Sequence, residues 1–424
     1  MAAMRIIVIG AGIVGLASAW WLARDGHDVT VLDRAPAVGQ GASHANGAQL
    51  SYAYVAPLAA PSVPRNLPKW LLSGDSPVRV RPGLDPGLAV WLLRFLTACT
   101  TRASDRATGH LLALSALSRA SLHEMMQATP VEFHHKRNGK LVVLSSAQSM
   151  RDAERQMRLQ ATLGSRQEAL TAAECVALEP ALATIGGRLV GGIHTPEEEV
   201  GDCLALCEGL AGVLAAAPFN VRFRLGTEVR GVRREGRRIA ALRTDAGEID
   251  ADAYVLAAGA RAGRLARLAG IALPVRPMRG YSITAALRPG NAAPVRSITD
   301  AARKVVYAPL GGALRVAGFA EIDAGRDELR PERIAALTAT LAETFPDACA
   351  AEDLHPERVR PWSGLRPMTP TSLPVIGRTR VANLLVNAGQ GALGFTLAAG
   401  SARLLADIVA GREPGVAAEA FAPG

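Results

Sequence analysis

Lysine, aromatic rings and cysteine are all scarce in this chain, and each shortage removes a class of function. Only four of its 47 basic residues are lysines (Lys69, Lys136, Lys140 and Lys304), so the net charge of +9 rests on arginines spread along the sequence. Aromatic residues make up 4% of it. A nucleic-acid surface gathers its basic groups and sets rings among them, and neither pattern is present. The charge permits attraction to anionic lipid instead. The five cysteines (Cys99, Cys175, Cys203, Cys207 and Cys349) include no CxxC pair and are odd in number, as expected of reduced thiols in the cytoplasm. Cys203 and Cys207 stand one helical turn apart, a spacing that suits buried packing. No group of His and Cys has zinc-motif spacing, so no metal is expected. Apolar runs fall short of a bilayer span. The nearest, Leu88 to Cys99, is interrupted by Arg94 and permits only peripheral contact with the inner face of the cytoplasmic membrane. No internal repeat is present, and nothing in the pattern indicates an oligomeric state.

What the chain does have begins at its N-terminus. Arg5 to Ile9 is a β-branched run that predicts a buried strand. Gly10-Ala11-Gly12-Ile13-Val14-Gly15 follows at once, then a helical pattern from Leu16 to Arg24 that Asp25-Gly26 ends. His27 to Leu32 is a second apolar strand, closing on Asp33 and Arg34. This is a complete βαβ unit of the dinucleotide-binding kind. Gly10 makes the tight turn, Gly12 lets a pyrophosphate approach the backbone, and Gly15 lets helix and strand pack closely. Asp33 is placed to accept a ribose hydroxyl. A secretory signal would lack the acids and the glycine spacing, so the segment is expected to stay in the mature protein.

With 424 residues, 49% of them hydrophobic, the chain has room for two domains. The loop Pro36 to Gly47 carries the start of Gly41–Ser51, GASHANGAQLS, whose Ser43, Asn46 and Gln49 can line a cofactor. Prolines 57, 61, 64 and 68 then break regular structure as far as Lys69. Helices are predicted at 87–100 and 108–127, a strand at 141–144 and an exposed helix at 149–163. Thr171 to Glu174 reads as a capping box, and a helix follows Asp202 as far as Ala216. Strands at 221–225, 228–234, 238–244 and 252–257 end in the tight turn Ala257-Ala258-Gly259-Ala260. Antiparallel strands are expected at 279–284, 304–309 and 313–320, and a helix at 331–345. The segment from Arg360 to Pro370 leads through Pro374–Gly377 to a strand at 384–387. A second glycine loop at 388–394 and a final helix at 395–409 complete the chain. Strand, glycine loop and helix again present backbone N–H groups to an electron-rich ligand. The fold class is α/β. A discontinuous Rossmann-like domain (1–56, 168–272 and 361–424) holds the cofactor. An inserted α+β domain (57–167 and 273–360), built on a mostly antiparallel sheet, holds the substrate.

Four blocks resemble the D-amino-acid oxidase superfamily of FAD enzymes, which includes the glycine and sarcosine oxidases. They are the N-terminal βαβ, SHANGAQLS with YAYVAPLAAP, RGYSIT, and WSGLRPMTP through PVIGRT to NAGQGALGFTLAAGS. They are most similar to the branch of bacterial D-amino acid dehydrogenases. The resemblance implies noncovalent FAD, with Gly10, Gly12, Ile13, Val14 and Gly15 at the pyrophosphate and Asp33 and Arg34 at the adenosine end. Ser43, Asn46, Gly47 and Gln49 match the second cofactor block. Val229, Ala258 and Gly259 would add backbone contacts, and Gly364, Gln390, Gly391, Leu393 and Gly394 would surround the flavin from the C-terminal side. Arg366 matches the arginine that grips the substrate carboxylate, a task suited to a planar, bidentate guanidinium.

Tyr54 and Tyr281 match tyrosines of the dehydrogenase blocks, and Tyr307 stands where amino-acid oxidases can carry a pocket tyrosine. Gln390 departs from the family, whose members often have His there. The activity implied is oxidation of D-amino acids to 2-oxo acids and ammonia, with hydride passing from Cα to flavin N5 and electrons leaving to a quinone or other acceptor. The alternative substrates are glycine, sarcosine, or a cyclic imino acid such as D-hydroxyproline or proline. An FAD domain acting on a tRNA base, or an NAD-linked enzyme, are readings from other classes.

Overall fold

The strand Arg5–Ile9 sits in the middle of a six-stranded sheet, and the computed structural model shows why its sequence is apolar from Ile6 onward. Residues 2–64, 78–80, 85–290, 292–322, 329–355 and 358–423 are described, so the breaker role read for Pro68 and Lys69 lies outside them. Across this sheet the order is Val375–Arg378, Leu384–Ala388, Ala253–Leu256, Arg5–Ile9, Asp28–Leu32 and Arg222–Arg224. All neighbours run parallel except the first pair. Successive side chains of a strand point to opposite faces, so a strand covered on both faces is apolar throughout. Ile6 and Val8 pack under the helices Ile13–Arg24, Cys203–Ala215 and Gly394–Ala410. Ile7 and Ile9 pack under an antiparallel meander of Val229–Glu235, Arg238–Thr244 and Gly247–Ile249 with the short helix Ala262–Leu268.

The second sheet is built from Arg360–Met368, Arg276–Ala286, Ala313–Ile322, Val305–Leu310, Ser297–Asp300, Lys140–Leu144, Gly191–Thr195 and Glu168–Thr171, in that order. Its pairings along this order are antiparallel save for Ser297–Asp300 beside Lys140–Leu144. One face carries Tyr281, Ile283, Tyr307 and Val316 and packs under the helix Pro331–Thr344. The opposite face looks towards the first domain. There Ser282 Oγ donates to the Ala45 carbonyl at 2.6 Å, and Arg315 donates to the Asn46 carbonyl at 3.1 Å.

The domain boundaries fall differently from those read in the sequence. Glu168–Thr171, Gly191–Thr195 and Arg360–Met368 all join the large sheet rather than the nucleotide-binding one. The last of these carries Pro361 and Pro367, which hide its strand character. It tolerates them because it lies at the sheet's edge. The helix Thr101–Ala128, expected in the inserted domain, buries Leu111, Leu114, Leu122 and Met125 in the core of the first domain. The capping box at Thr171 and Glu174 is present, and Asp202 caps its helix through Leu204 N at 2.9 Å. All five cysteines are free and buried.

One apolar stretch is longer than the sequence reading allowed. Gly391–Ala410 has the length and composition to cross a membrane, yet 72% of it is buried inside the protein as a core helix. Its closest neighbour is Thr101–Ala128. A Cβ on Gly400 would stand 2.7 Å from the Leu114 carbonyl oxygen and the Ser118 nitrogen, so the two backbones almost touch. Ser118 Oγ donates to the Thr396 carbonyl at 2.6 Å and accepts from Gly400 N at 2.9 Å across that seam. Gly400→Ala is therefore expected to cost about 1–3 kcal/mol by forcing the helices apart. Denaturant unfolding followed by circular dichroism would measure this.

Candidate flavin and substrate site

The first glycine loop has the shape of a cradle with its base packed and its rim free. Gly10 has φ +121°, and a Cβ there would strike the Ala257 carbonyl. A Cβ on Gly15 would strike the Gly10 carbonyl, so helix and strand meet at backbone distance. At Gly12, by contrast, the nearest atom to such a Cβ is Ser43 Oγ at 3.3 Å, which leaves the surface above the loop open. The helix that starts at Ile13 has no acidic residue in its first turn, and Ser43 Oγ accepts from Ile13 N at 3.1 Å. Val14 is half-buried beside it. Asp33 accepts from Ala11 N at 2.7 Å and from Ala35 N at 2.8 Å, which fixes its carboxylate at the edge of the cradle with lone pairs to spare. Arg34 is exposed next to it, and Val229 is buried at the start of the meander. Gly259 has φ +52° and nothing within 4 Å of a Cβ, so the turn with Ala258 is open as well. These residues fit a dinucleotide.

The second block, Ala45–Gln49, crosses the inner face of the large sheet. Asn46 Oδ1 accepts from Ala48 N at 2.9 Å, which holds Ala48 at φ +58°. A Cβ on Gly47 would press on Val306 at 3.1 Å. The Gln49 amide donates to Ser297 Oγ and accepts from Lys140 Nζ at 3.1 Å. Ser51 N donates to Thr396 Oγ1 at 3.0 Å, in the first turn of the final helix. That helix has no acid in its first turn, and Gly394 faces open space. Gly389 and Gly391 both have positive φ, +86° and +61°. Gln390 is 3% exposed, and its amide donates to Asn387 Oδ1 at 2.7 Å, which anchors the side chain in the core. Leu393 is half-buried against the same core.

Lys140 and Glu198 carried no signal in the sequence. Lys140 Nζ donates to Ser51 Oγ at 2.8 Å and lies 4.7 Å above the Tyr54 ring. Glu198 accepts from the backbone N–H groups of Tyr52, Ala53 and Tyr54 at 2.7, 2.9 and 2.9 Å. Burial pushes the Lys140 ammonium down to about 8, an effect the nearby Glu198 carboxylate partly offsets. Burial likewise pushes the Glu198 carboxyl up against the opposing pull of Lys140 and the three amides.

Arg366 lies at the far edge of the sheet. Its register partner is Met278, and Gly364 pairs with Gly280, so both face the cofactor loops. The guanidinium lies over Gly280, where a Cβ would come within 2.5 Å of its central carbon. Its NH1 donates to the Phe319 carbonyl at 2.7 Å. Phe319 has φ +63° at a bulge in Ala313–Ile322, and that conformation turns the carbonyl towards the arginine. The group lies deep in the protein while part of it stays accessible, and burial alone lowers its pKa to about 10. No carboxylate pairs with it among the described residues. Met368, on the same face, stands 3.1 Å from where a Cβ of Gly391 would be, so the guanidinium and the second glycine loop belong to one region.

Two of the tyrosine expectations are overturned. Tyr281 and Tyr307 are 1% and 0% exposed and point to the other face of the sheet. Tyr281 donates to Glu321 at 2.9 Å, and the Tyr307 hydroxyl shares a 3.1 Å hydrogen bond with Thr344. Burial pushes both phenols up, Tyr307 to about 12. They are core residues. In RGYSIT the alternation itself sets Tyr281 with Ile283 and against Gly280 and Ser282. Tyr54 is half-buried with Gln49 and Lys140, and four strands of the sheet lie between the Lys140 strand and that of Arg366.

Gly280→Ala should push the guanidinium aside without disturbing the sheet, because the atoms it strikes are the end of a flexible side chain. The expected outcome in steady-state kinetics is a KM raised about tenfold, with FAD absorbance unchanged. For Lys140 the sign follows from its lowered pKa. Above pH 8 the folded amine loses its proton while the unfolded one keeps it to about pH 10.4, so unfolding free energy rises with pH by at most about 1.4 kcal/mol per unit. Melting curves of wild type and Lys140→Met between pH 8 and 10 should differ from each other by that slope.

Comparison with known proteins identifies the family. The chain matches the family described as FAD-dependent oxidoreductase (DAO) over residues 5–408. It is 49% identical over 426 aligned residues, covering 99% of both chains, to D-amino acid dehydrogenase 2 of Ralstonia nicotianae. It is 43% identical to D-amino acid dehydrogenase 2 of Pseudomonas aeruginosa, covering 98% of this chain and 97% of that one. Among solved structures, glycine oxidase from Geobacillus kaustophilus matches its fold with a TM-score of 0.75 at 22% identity, over 100% of this chain and 99% of that one. The βαβ cradle, the two further cofactor loops and the full-length match together place this chain in the DAO family of FAD-dependent oxidoreductases.

Proposed function

We propose that this protein is a D-amino acid dehydrogenase, oxidising its substrate to a 2-oxo acid and ammonia and delivering the electrons to a quinone or another acceptor. The observation that carries the reading is the half-buried Arg366 guanidinium, which has a backbone carbonyl on one side and no carboxylate of its own among the described residues. A planar cation in a desolvated pocket is a receptor for a carboxylate, and desolvation strengthens the pair. Relatives at 49% and 43% identity carry that activity in their names.

Arg366 would hold the substrate carboxylate and so orient the α-carbon towards the region of Gly391 and Gly394. FAD supplies the acceptor for the hydride that leaves Cα. The positive end of the Gly394–Ala410 helix favours the negative charge that develops there. Hydride transfer from a neutral amine needs no side-chain base, so Tyr281 and Tyr307 are not required as one. Released imine hydrolyses in water. The helix Pro86–Ala98 exposes Val90 and Leu93 beside Arg94, which supports a cytoplasmic protein that touches the membrane's inner face to reach a quinone.

Anaerobic addition of D-amino acids should bleach the flavin band, and an artificial quinone should outpace oxygen as acceptor. Bleaching by glycine, sarcosine or proline but by no larger D-amino acid would favour the alternative substrates and remove the main reading. Arg366→Leu should lower kcat/KM by roughly a hundredfold, about 3 kcal/mol, while FAD stays bound. Unchanged substrate affinity in that variant would dismiss the clamp.

A further inference from the structure

A second cluster of chemically capable side chains lies away from the flavin region. His123 is on the helix Thr101–Ala128, His135 is in the segment that follows it, and Glu199 is on the short strand Glu199–Val200. His123 Nε2 is 2.8 Å from Glu199 Oε1, and His135 Nε2 is 2.9 Å from Glu199 Oε2. One ligand atom from each of the three lies within 4.8 Å of the others. We propose that His123, His135 and Glu199 form a structural site for a divalent transition-metal ion of the zinc class.

The ligand set is the reason for that class. Two imidazoles and a carboxylate, with a fourth position for water or a further oxygen, suit zinc, which takes nitrogen and oxygen ligands at about 2.0–2.2 Å. The three atoms, now within 4.8 Å of one another, reach those distances by movement of the side chains alone. Binding replaces two N–H···O hydrogen bonds with two metal–nitrogen bonds, and each imidazole then carries its proton on Nδ1. The surroundings supply what such a site needs. The Glu199 side chain is 1% exposed, so its carboxylate is already stripped of water, whereas His123 at 37% leaves an entrance from solvent. Phe133 stacks on His135 with ring centroids 5.2 Å apart and fixes that ring's plane.

A further oxygen points to the same place. The Tyr52 hydroxyl is buried with no hydrogen bond of ordinary geometry, and burial first, then the neighbouring Glu199 carboxylate, push its pKa up. The competing cation, Arg119, approaches Glu199 only to 3.7 Å and is held at 2.6 Å by Glu197. Sequence spacing gave no hint of this cluster, since its members come from three separate segments. An ion there would tie the long helix to the strand whose preceding residue, Glu198, holds the Tyr52–Tyr54 backbone.

The test uses the untagged, FAD-loaded protein after treatment with a chelator. Titration with Zn²⁺ in a calorimeter should show one ion per chain, and the same ion should raise the melting temperature. Co²⁺ should give the visible absorption of a four- or five-coordinate site. His123→Ala and His135→Ala should each weaken Zn²⁺ by more than the roughly tenfold typical of losing an outer-shell partner, and should abolish the thermal shift. FAD absorbance checks that these variants remain folded. No saturable Zn²⁺ binding in the wild type, an octahedral Co²⁺ spectrum like that of the free ion, or wild-type Zn²⁺ affinity in both variants would each overturn the proposal.

Discussion

A guanidinium kept deep in a protein with no acid beside it among the described residues is costly, and two strands of the large sheet are shaped around one. Desolvating a charge costs several kcal/mol unless hydrogen bonds or an opposite charge repay it. Here the Phe319 carbonyl repays part, through a backbone conformation that non-glycine residues seldom adopt. Gly280 leaves the room, since a Cβ there would strike the guanidinium. The remaining donors of the arginine are what a substrate carboxylate can satisfy. Neighbouring cations are treated differently: Arg330 and Arg333 both pair with the buried Glu321. Arg366 stands apart from them in charge balance, and this is why it, among so many arginines, reads as a receptor.

Local patterns were legible in the sequence to the extent that their causes were local. Strand, glycines, helix and acid follow one another within 30 residues at the N-terminus, and the structure reproduces each of them. The capping box at Thr171 is likewise a matter of four consecutive residues. Arg360–Met368 was visible as a motif but not as a strand, because two prolines mask an edge position that only the sheet reveals. Tyr281 and Tyr307 were misread for a different reason. Tyr281 shares the apolar face of its strand with Ile283, and the family block is silent on which face a residue takes. Lys140, Glu198 and the pair of histidines on Glu199 depend on contacts across 64 to 146 residues of chain, and no window of sequence contains them.

The two domains are joined through the cofactor loop more than beside it. Ala45 and Asn46 are held by Ser282 and Arg315 of the large sheet, and Gln49 by Ser297 and Lys140. Arg315 also reaches Asp202, the cap of a helix in the first domain, at 3.4 Å. The segment Ala45–Gln49 is thus held from the large sheet by several polar contacts at once.

The seam between Gly400 and Ser118 has a consequence for how the protein is made. The glycine cradle leaves the ribosome first, but its partner loop is completed by Thr396, on the last long helix, whose hydroxyl receives Ser51 N. That helix can seat only against Thr101–Ala128, with no bulk at Gly400 to hold it away. Until the final residues emerge, the early segments lack the surfaces that close the flavin region. Long-range closure of this kind slows folding and leaves apolar faces uncovered during synthesis. Closure of the flavin region thus waits on the seating of the Gly394–Ala410 helix against Thr101–Ala128.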